Sequence, residues 1–524
     1  MGRILRIYVA VLSLVSLLAL SAPAARATDV TLLPLGIAVT GNGMLQGIFQ
    51  GDVLAFRGIP YVAPPVGRLR WRAPQPPPSW QGIRDASTFG NVCPQINFEL
   101  QLVGDEDCLT LNVYIARNTS HGKQPVMVFF HGGGNFAGDA QSPPFDLPTL
   151  ADHGVVVVTA QYRLGFLGFL AHPLLTAEDS SSSGAYAMLD QIAALRWVQR
   201  NIAAFEGDAR RVMAFGQSAG SYDLQALLTA PLAQGLFSTV GMESGSIPRG
   251  QLPSFAVAEI GGVAFAEGAG CGNSSHTLAC LRAIPADTIV TQPNLYLLGP
   301  GVGSRFLPND PAIVLQEHGS PVPLLIGSTR EEWAGISDNP NADLDEAGYE
   351  AAIHQRFDSI GPGIADRVLQ LYPASDYDTP AYALIAVDTD YAMTCEVRNV
   401  ARATAGMGRP PVWRYFYTHR FENDSFLNSY RAFHTAELYF VFDDFNGVFG
   451  IIYSPTPAEV TFTEELIGYW TRFAATGNPN GAGAVPWPAY EANNYRMLRL
   501  DDTFRAMGEY HETQCNFLST LPQP

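Results

Sequence analysis

The chain has 524 residues, 47% of them hydrophobic and 15% charged, a mixture that excludes disordered and fibrous classes and predicts a large packed core. Its 49 acidic against 31 basic residues give a net charge of −18, which argues against nucleic acid and anionic membrane surfaces as partners. In chain order, the first segment reads as an address. Arg3 and Arg6 precede an apolar run from Ile7 to Leu20, and Ala25, Arg26 and Ala27 place small residues around a cleavage point. That is the layout of a secretory signal peptide over residues 1–27, too short to span a bilayer stably. Its removal leaves 28–524 as a single domain with 28 basic and 49 acidic residues, a net −21. No later apolar run reaches spanning length without a charge, so the expectation is a periplasmic or secreted protein with no stable membrane anchor.

Beyond the leader, short β-branched or aromatic runs recur, each followed by a Gly-rich turn and then a helical pattern. Val126 to Phe130, Val155 to Ala160, Val212 to Phe215, Thr239 to Ser244, Val322 to Gly327 and Val412 to Tyr417 read as strands with little alternation. Gly184 to Ala204 reads as a helix. Continuous apolar strands separated by helices predict a parallel sheet covered on both faces, hence one α/β domain with large loops at the strand ends. Active sites of such sheets lie at those ends.

The strongest local signal is Gly216-Gln217-Ser218-Ala219-Gly220, between the strand Val212 to Phe215 and a helix-like stretch from Tyr222 to Leu228. This is the setting that a G-x-S-x-G nucleophile elbow requires. Gly216 and Gly220 let strand and helix approach, so Ser218 sits on a tight turn with its hydroxyl exposed. An ordinary Gly-rich turn is the bland alternative, and the strand–turn–helix context disfavours it. Upstream, His131-Gly132-Gly133-Gly134 follows the strand ending at Phe130. Consecutive glycines let backbone N–H groups converge on the oxygen where charge develops during acyl transfer.

A serine also needs a base, and the base an orienting acid, in the chain order Ser, acid, His. Of the later histidines, His434 has the best setting, ahead of His354 in a polar helix-like segment and His511 near the C-terminus. His131 precedes the serine and reads as a turn-packing residue. The acid belongs on the loop after Val322 to Gly327, which delivers Glu331 and Glu332; spacing does not choose between them. Such a relay takes a small-molecule ester as partner and requires neither metal nor organic cofactor.

Six cysteines, Cys93, Cys108, Cys271, Cys280, Cys395 and Cys515, suit an exported chain and read as disulfides; no C-x-x-C pair or nearby His favours zinc. Six cysteines allow 15 pairings. Short loops favour Cys93–Cys108 and Cys271–Cys280, leaving Cys395–Cys515. The sequons at Asn118, Asn273 and Asn423 carry little weight behind a short, bacterial-looking leader.

Taken together, these residues resemble the type B carboxylesterase/lipase family, the cholinesterase-like branch of the α/β-hydrolases, from about Gly41 to Phe517. The ordered blocks include Phe56 to Tyr61, Glu106-Asp107-Cys108-Leu109, the triple glycine, Gln161-Tyr162-Arg163, Asp190-Gln191 and the elbow. Glu243-Ser244-Gly245-Ser246, Glu331-Glu332, the His434 block and Thr476 to Pro479 follow. The resemblance implies an α/β-hydrolase fold, a central, mostly parallel twisted sheet flanked by helices, and a secreted serine carboxylesterase working through an acyl-enzyme on Ser218. It implies Glu332 as the orienting acid, oxyanion donors at Gly133, Gly134 and Ala219, and a hydrogen bond from Ser244 to that acid. It also implies an Arg70–Glu106 salt bridge and the same three disulfides. Gln217 stands where the family usually has Glu, Asn135 where an aromatic often follows the glycines, and Trp333 where Gly often follows the acid. The Cys93–Cys108 loop holds Phe98 but no Trp, which disfavours choline esters. Triad-lacking adhesion or carrier chains form the rival class; here every triad position is filled.

Overall fold

The computed structural model describes residues 32–33, 35–116, 122–146, 149–272, 275–292, 299–336, 338–408 and 410–522. The expected leader at 1–27 and the sequons at Asn118 and Asn273 lie outside the described residues. Eleven strands form the main sheet: β1 (Ile48–Gln50), β2 (Val53–Pro60), β3 (Thr110–Ala116), β4 (Gln124–Phe130), β5 (Val156–Ala160), β6 (Gly207–Gln217), β7 (Thr239–Glu243), β8 (Leu324–Thr329), β9 (Val412–Tyr417), β10 (Met497–Leu500) and β11 (Arg505–Met507). Their spatial order is β11-β10-β9-β8-β7-β6-β4-β5-β3-β2-β1. Every pairing from β5 through β4 to β10 is parallel, and the outer strands are antiparallel. The apolar runs predict the parallel centre; the antiparallel outer strands lie outside those runs.

The missing alternation has a direct cause. In β4, Val126, Val128 and Phe130 join one hydrophobic core while Met127 and Phe129 join the other, so both faces demand apolar residues. Helices α1 (Tyr186–Asn201) and α2 (Ala219–Thr229) cover the first face through Ile192, Leu195, Trp197, Leu224 and Leu227. The other face packs on α3 (Ala436–Val441) and α4 (Pro457–Thr476), whose Phe462, Leu466, Trp470 and Phe473 are buried. A capping box at Thr456 and Glu459 starts α4, and Gly477 in the left-handed region ends it.

Boundaries shift where tertiary contacts extend them. β6 starts five residues before its apolar stretch because it pairs from Gly207 against Gln124 of β4. The helix after the elbow begins at Ala219, immediately past the turn, and not at Tyr222. α1 spans the middle of the expected Gly184 to Ala204 helix and passes into a short 3-10 turn, Ile202–Phe205.

All six cysteines pair as expected: Cys93–Cys108, Cys271–Cys280 and Cys395–Cys515. Arg70 grips Glu106 with both ends of its guanidinium beside the first disulfide, Nε–Oε1 being 2.7 Å. Two sequence blocks are likewise joined by a buried bidentate bridge, Arg163 Nε and Nη2 to Asp190 Oδ2 and Oδ1 at 2.7 Å each. Among the described residues, no helix is long and apolar enough to cross a membrane.

Candidate active site

Strands β6, β8 and β9 run in the same direction, so the loops leaving their C-terminal ends gather at one edge of the sheet. β6 ends at Gln217, and Ser218 adopts φ 56°, ψ −122° before α2 begins. A non-glycine residue held there costs on the order of 1–3 kcal/mol and persists only when its surroundings enforce it. They do so here. The Ser218 amide donates to Glu243 O on β7 at 2.9 Å, and Ser218 O accepts from the Ser221 and Tyr222 amides at 2.9 and 3.0 Å. A Cβ on Gly220 would stand 2.0 Å from Phe130 O, so α2 lies this close to β4 only with glycine there.

The two candidate acids separate cleanly. Glu331 ties loops together: it accepts from Arg330 Nε at 2.7 Å and from the Ala432 amide at 3.2 Å. A parallel bridge between Glu331 and Phe433 then brings the following residue, Glu332, to the residue after Phe433. Glu332 is fully buried; its Oε1 accepts from the Thr329 amide at 2.7 Å and its Oε2 from His434 Nδ1 at 2.5 Å. With Nδ1–H donating, Nε2 carries the lone pair that a general base needs.

That lone pair faces the Gln217 side-chain amide, whose Nε2 is 2.9 Å away. No hydrogen bond joins the Ser218 hydroxyl to His434 in this state. The expected base and acid therefore stand in hydrogen-bond contact, while the side chain of the residue before the serine occupies the free imidazole nitrogen. Catalytic hydrogen bonds of free enzymes often close only with substrate.

The glycine loop lies across the elbow. Gly133 has φ +104°, and a Cβ on it would sit 2.1 Å from Ala137 O. Among the described residues, the amides of Gly133, Gly134 and Ala219 donate to no protein acceptor, the state required of donors awaiting an oxyanion. His131 is buried, stacks on Tyr162 at 4.4 Å and keeps Nδ1 near Gly132 O at 2.8 Å; burial lowers its basicity. It packs the turn. His354 pairs with Asp358 and His511 with Asp390, not with residues of the elbow.

Ser244 requires a correction. Its hydroxyl donates to Glu437 Oε1 at 3.2 Å and not to Glu332, because α3, starting just after His434, points Glu437 under the site. Burial, then repulsion from Glu332, pushes the Glu437 carboxyl up to about 7. Beneath it, Glu243 accepts from Trp470 Nε1 at 2.5 Å, and burial followed by repulsion from Glu437 raises it well above the usual range. Burial thus disfavours the charged form of both carboxyl groups under the acid. Glu437, the Gln217 contact and buried Asp223 on α2 escaped the sequence reading. The Asn135 and Gln217 departures from the family pattern were the available signals for two of them.

Among the described residues, the one trio of side chains close enough to share a metal ion is His419, Asp501 and Asp502. These atoms are already engaged: His419 Nδ1 with Asp502 at 2.8 Å, and Asp501 with Arg499 and Thr418.

A model of the carboxylesterase family matches residues 36–518. Para-nitrobenzyl esterase of Bacillus subtilis is 36% identical over 484 residues, which covers 89% of this chain and 94% of that protein. Fumonisin B1 esterase of Sphingopyxis macrogoltabida is 33% identical and covers 86% of this chain and 84% of its own. A solved para-nitrobenzyl (PNB) esterase structure superposes with a TM-score of 0.78 at 31% identity, covering 92% of this chain and 99% of that one. The architecture above is the α/β-hydrolase fold.

Proposed function

The chain belongs to the carboxylesterase family and is a carboxylic ester hydrolase, and from that premise we propose that it is an exported serine esterase whose acyl-enzyme forms on Ser218. Ser218 Oγ attacks the ester carbonyl as His434 Nε2 takes its proton. Glu332 keeps the imidazole in the Nδ1–H tautomer and offsets its charge, and the amides of Gly133, Gly134 and Ala219 receive the oxyanion. His434 returns the proton to the departing alcohol, then activates water to release the acid. For the first step the Ser218 hydroxyl displaces the Gln217 amide from the Nε2 lone pair. The observation that carries this reading is the 2.5 Å His434–Glu332 contact, with His434 Nε2 held 2.9 Å from the side chain of Gln217, the residue preceding a serine in a strained elbow.

The partner is a small carboxylic ester. Relatives carry names for a para-nitrobenzyl ester, a fumonisin and cocaine, so the substrate class spans small, partly aromatic esters. Three disulfides with no free cysteine support folding in an oxidising compartment, in keeping with cleavage after residue 27 and a secreted or periplasmic location. Mass spectrometry of the exported protein should find Thr28 as its first residue; a cytoplasmic protein retaining 1–27 would refute export. Ser218→Ala should abolish the burst of p-nitrophenol from p-nitrophenyl acetate. A burst that survives in that variant would overturn the nucleophile.

A further inference from the structure

An oxyanion hole built from two separate stretches of chain is only as good as their relative placement. Here Gly133 and Gly134 lie on the loop after β4, while Ala219 opens α2. Donors must stand about 2.7–3.1 Å from the developing oxyanion, so displacements well under an ångström matter. The residue after the glycines, Asn135, is fully buried with φ +61°, and its backbone O accepts from the Gly165 amide at 2.7 Å. Its side-chain Nδ2 donates to Asp223 Oδ1 at 2.9 Å. Asp223 lies on α2, four residues past Ala219, and is itself buried. The other oxygen of Asp223 accepts from Gln191 Nε2 of α1 at 2.5 Å.

We propose that Asp223 is a positioning residue for the oxyanion hole: its carboxyl group grips Asn135 and so sets the separation between the Ala219 amide and those of Gly133 and Gly134. Three features support this. The bond joins the two donor-bearing segments directly. Gln191 orients the carboxyl group from a rigid helix. No cation pairs with it among the described residues, and burial pushes the carboxyl up to about 7 against the pull of the two amides, so the group is kept for hydrogen bonding. The inference rests on the acyl-enzyme reading above, because it gives Asp223 a role only if an oxyanion forms there.

The test is a rescue series with a double-mutant cycle. Asp223→Leu keeps volume but removes the acceptor; we expect a loss of roughly ten- to a hundredfold in kcat with KM little changed. Binding of a trifluoromethyl ketone, which forms an oxyanion, should weaken by the same factor. Asp223→Asn retains an oxygen for Asn135, and Gln191 Oε1, which has no partner, becomes its acceptor once that amide turns over. This variant should therefore keep kcat within about threefold. In an Asn135→Gly background, Asp223→Leu should cost almost nothing further, because the contact is already gone. Wild-type kcat in Asp223→Leu, equal losses in the Leu and Asn variants, or additive losses in the cycle would each overturn the inference. Failure of a fluorophosphonate to label wild-type Ser218 would instead sink the acyl-enzyme reading, and that outcome is scored separately on the unmutated protein.

Discussion

Replacing Glu332 by Gln tests the relay at its most constrained point. Two N–H donors converge on the carboxylate, Thr329 at 2.7 Å on one oxygen and His434 Nδ1 at 2.5 Å on the other. A glutamine offers one oxygen. If that oxygen stays with Thr329, the new NH2 group faces Nδ1, which must then become the acceptor, and the proton moves to Nε2 where Ser218 needs a base. If the oxygen turns to His434, the buried Thr329 amide loses its partner at a cost of about 1–3 kcal/mol. Either way the negative charge opposite the imidazolium disappears. With charge centres about 4 Å apart and an effective dielectric near 20, that charge contributes about 4 kcal/mol. At about 1.4 kcal/mol per decade this is roughly a thousandfold in kcat, and the wrong tautomer carries it toward about ten-thousandfold. The assay is steady-state hydrolysis of p-nitrophenyl acetate, normalised to sites titrated by a fluorophosphonate. KM should hardly move. A properly folded Glu332→Gln enzyme within tenfold of wild type would refute the arrangement.

Two further outcomes follow from particular contacts. Gln217→Glu puts a carboxylate where an amide now stands 2.9 Å from Nε2, which favours the protonated imidazole. The acid limb of kcat/KM should therefore move to higher pH by about one to two units, about 1.4–2.7 kcal/mol, with activity lost at a pH where wild type still works; an unmoved limb would show that the contact is absent in solution. Removing Cys395–Cys515, which closes a separation of 120 residues, should lower urea-unfolding stability more than removing Cys271–Cys280, with a separation of 9. The loop-entropy difference is about 2 kcal/mol, and equal losses would count against a denatured-state origin.

What the sequence determines here is local. Strands buried on both faces must be apolar at successive positions, so Val126 to Phe130 and its counterparts betray the parallel sheet. A serine on a strained turn, and a loop packed where Gly133 and Gly220 leave no room for a Cβ, must be flanked by glycine, so the elbow and the oxyanion loop are also legible. Short loops favour Cys93–Cys108 and Cys271–Cys280 in the same local way, whereas Cys395–Cys515, 120 residues apart, follows only by elimination. Long-range convergence is different, because it depends on strand order and register. Spacing does not choose between the two glutamates, and it is the bridge between Glu331 and Phe433 that leaves the first tying loops and brings the second to His434. The partner of Ser244 is Glu437 for a similar reason: α3 begins immediately after the histidine and carries that side chain beneath the site. Gln217 on the His434 lone pair and Asp223 on Asn135 are contacts between residues 217 and 88 positions apart. Nothing local in composition or periodicity encodes such pairs, since the hydrogen bond is specified by the packed positions of the elements and not by either residue's neighbours in the chain.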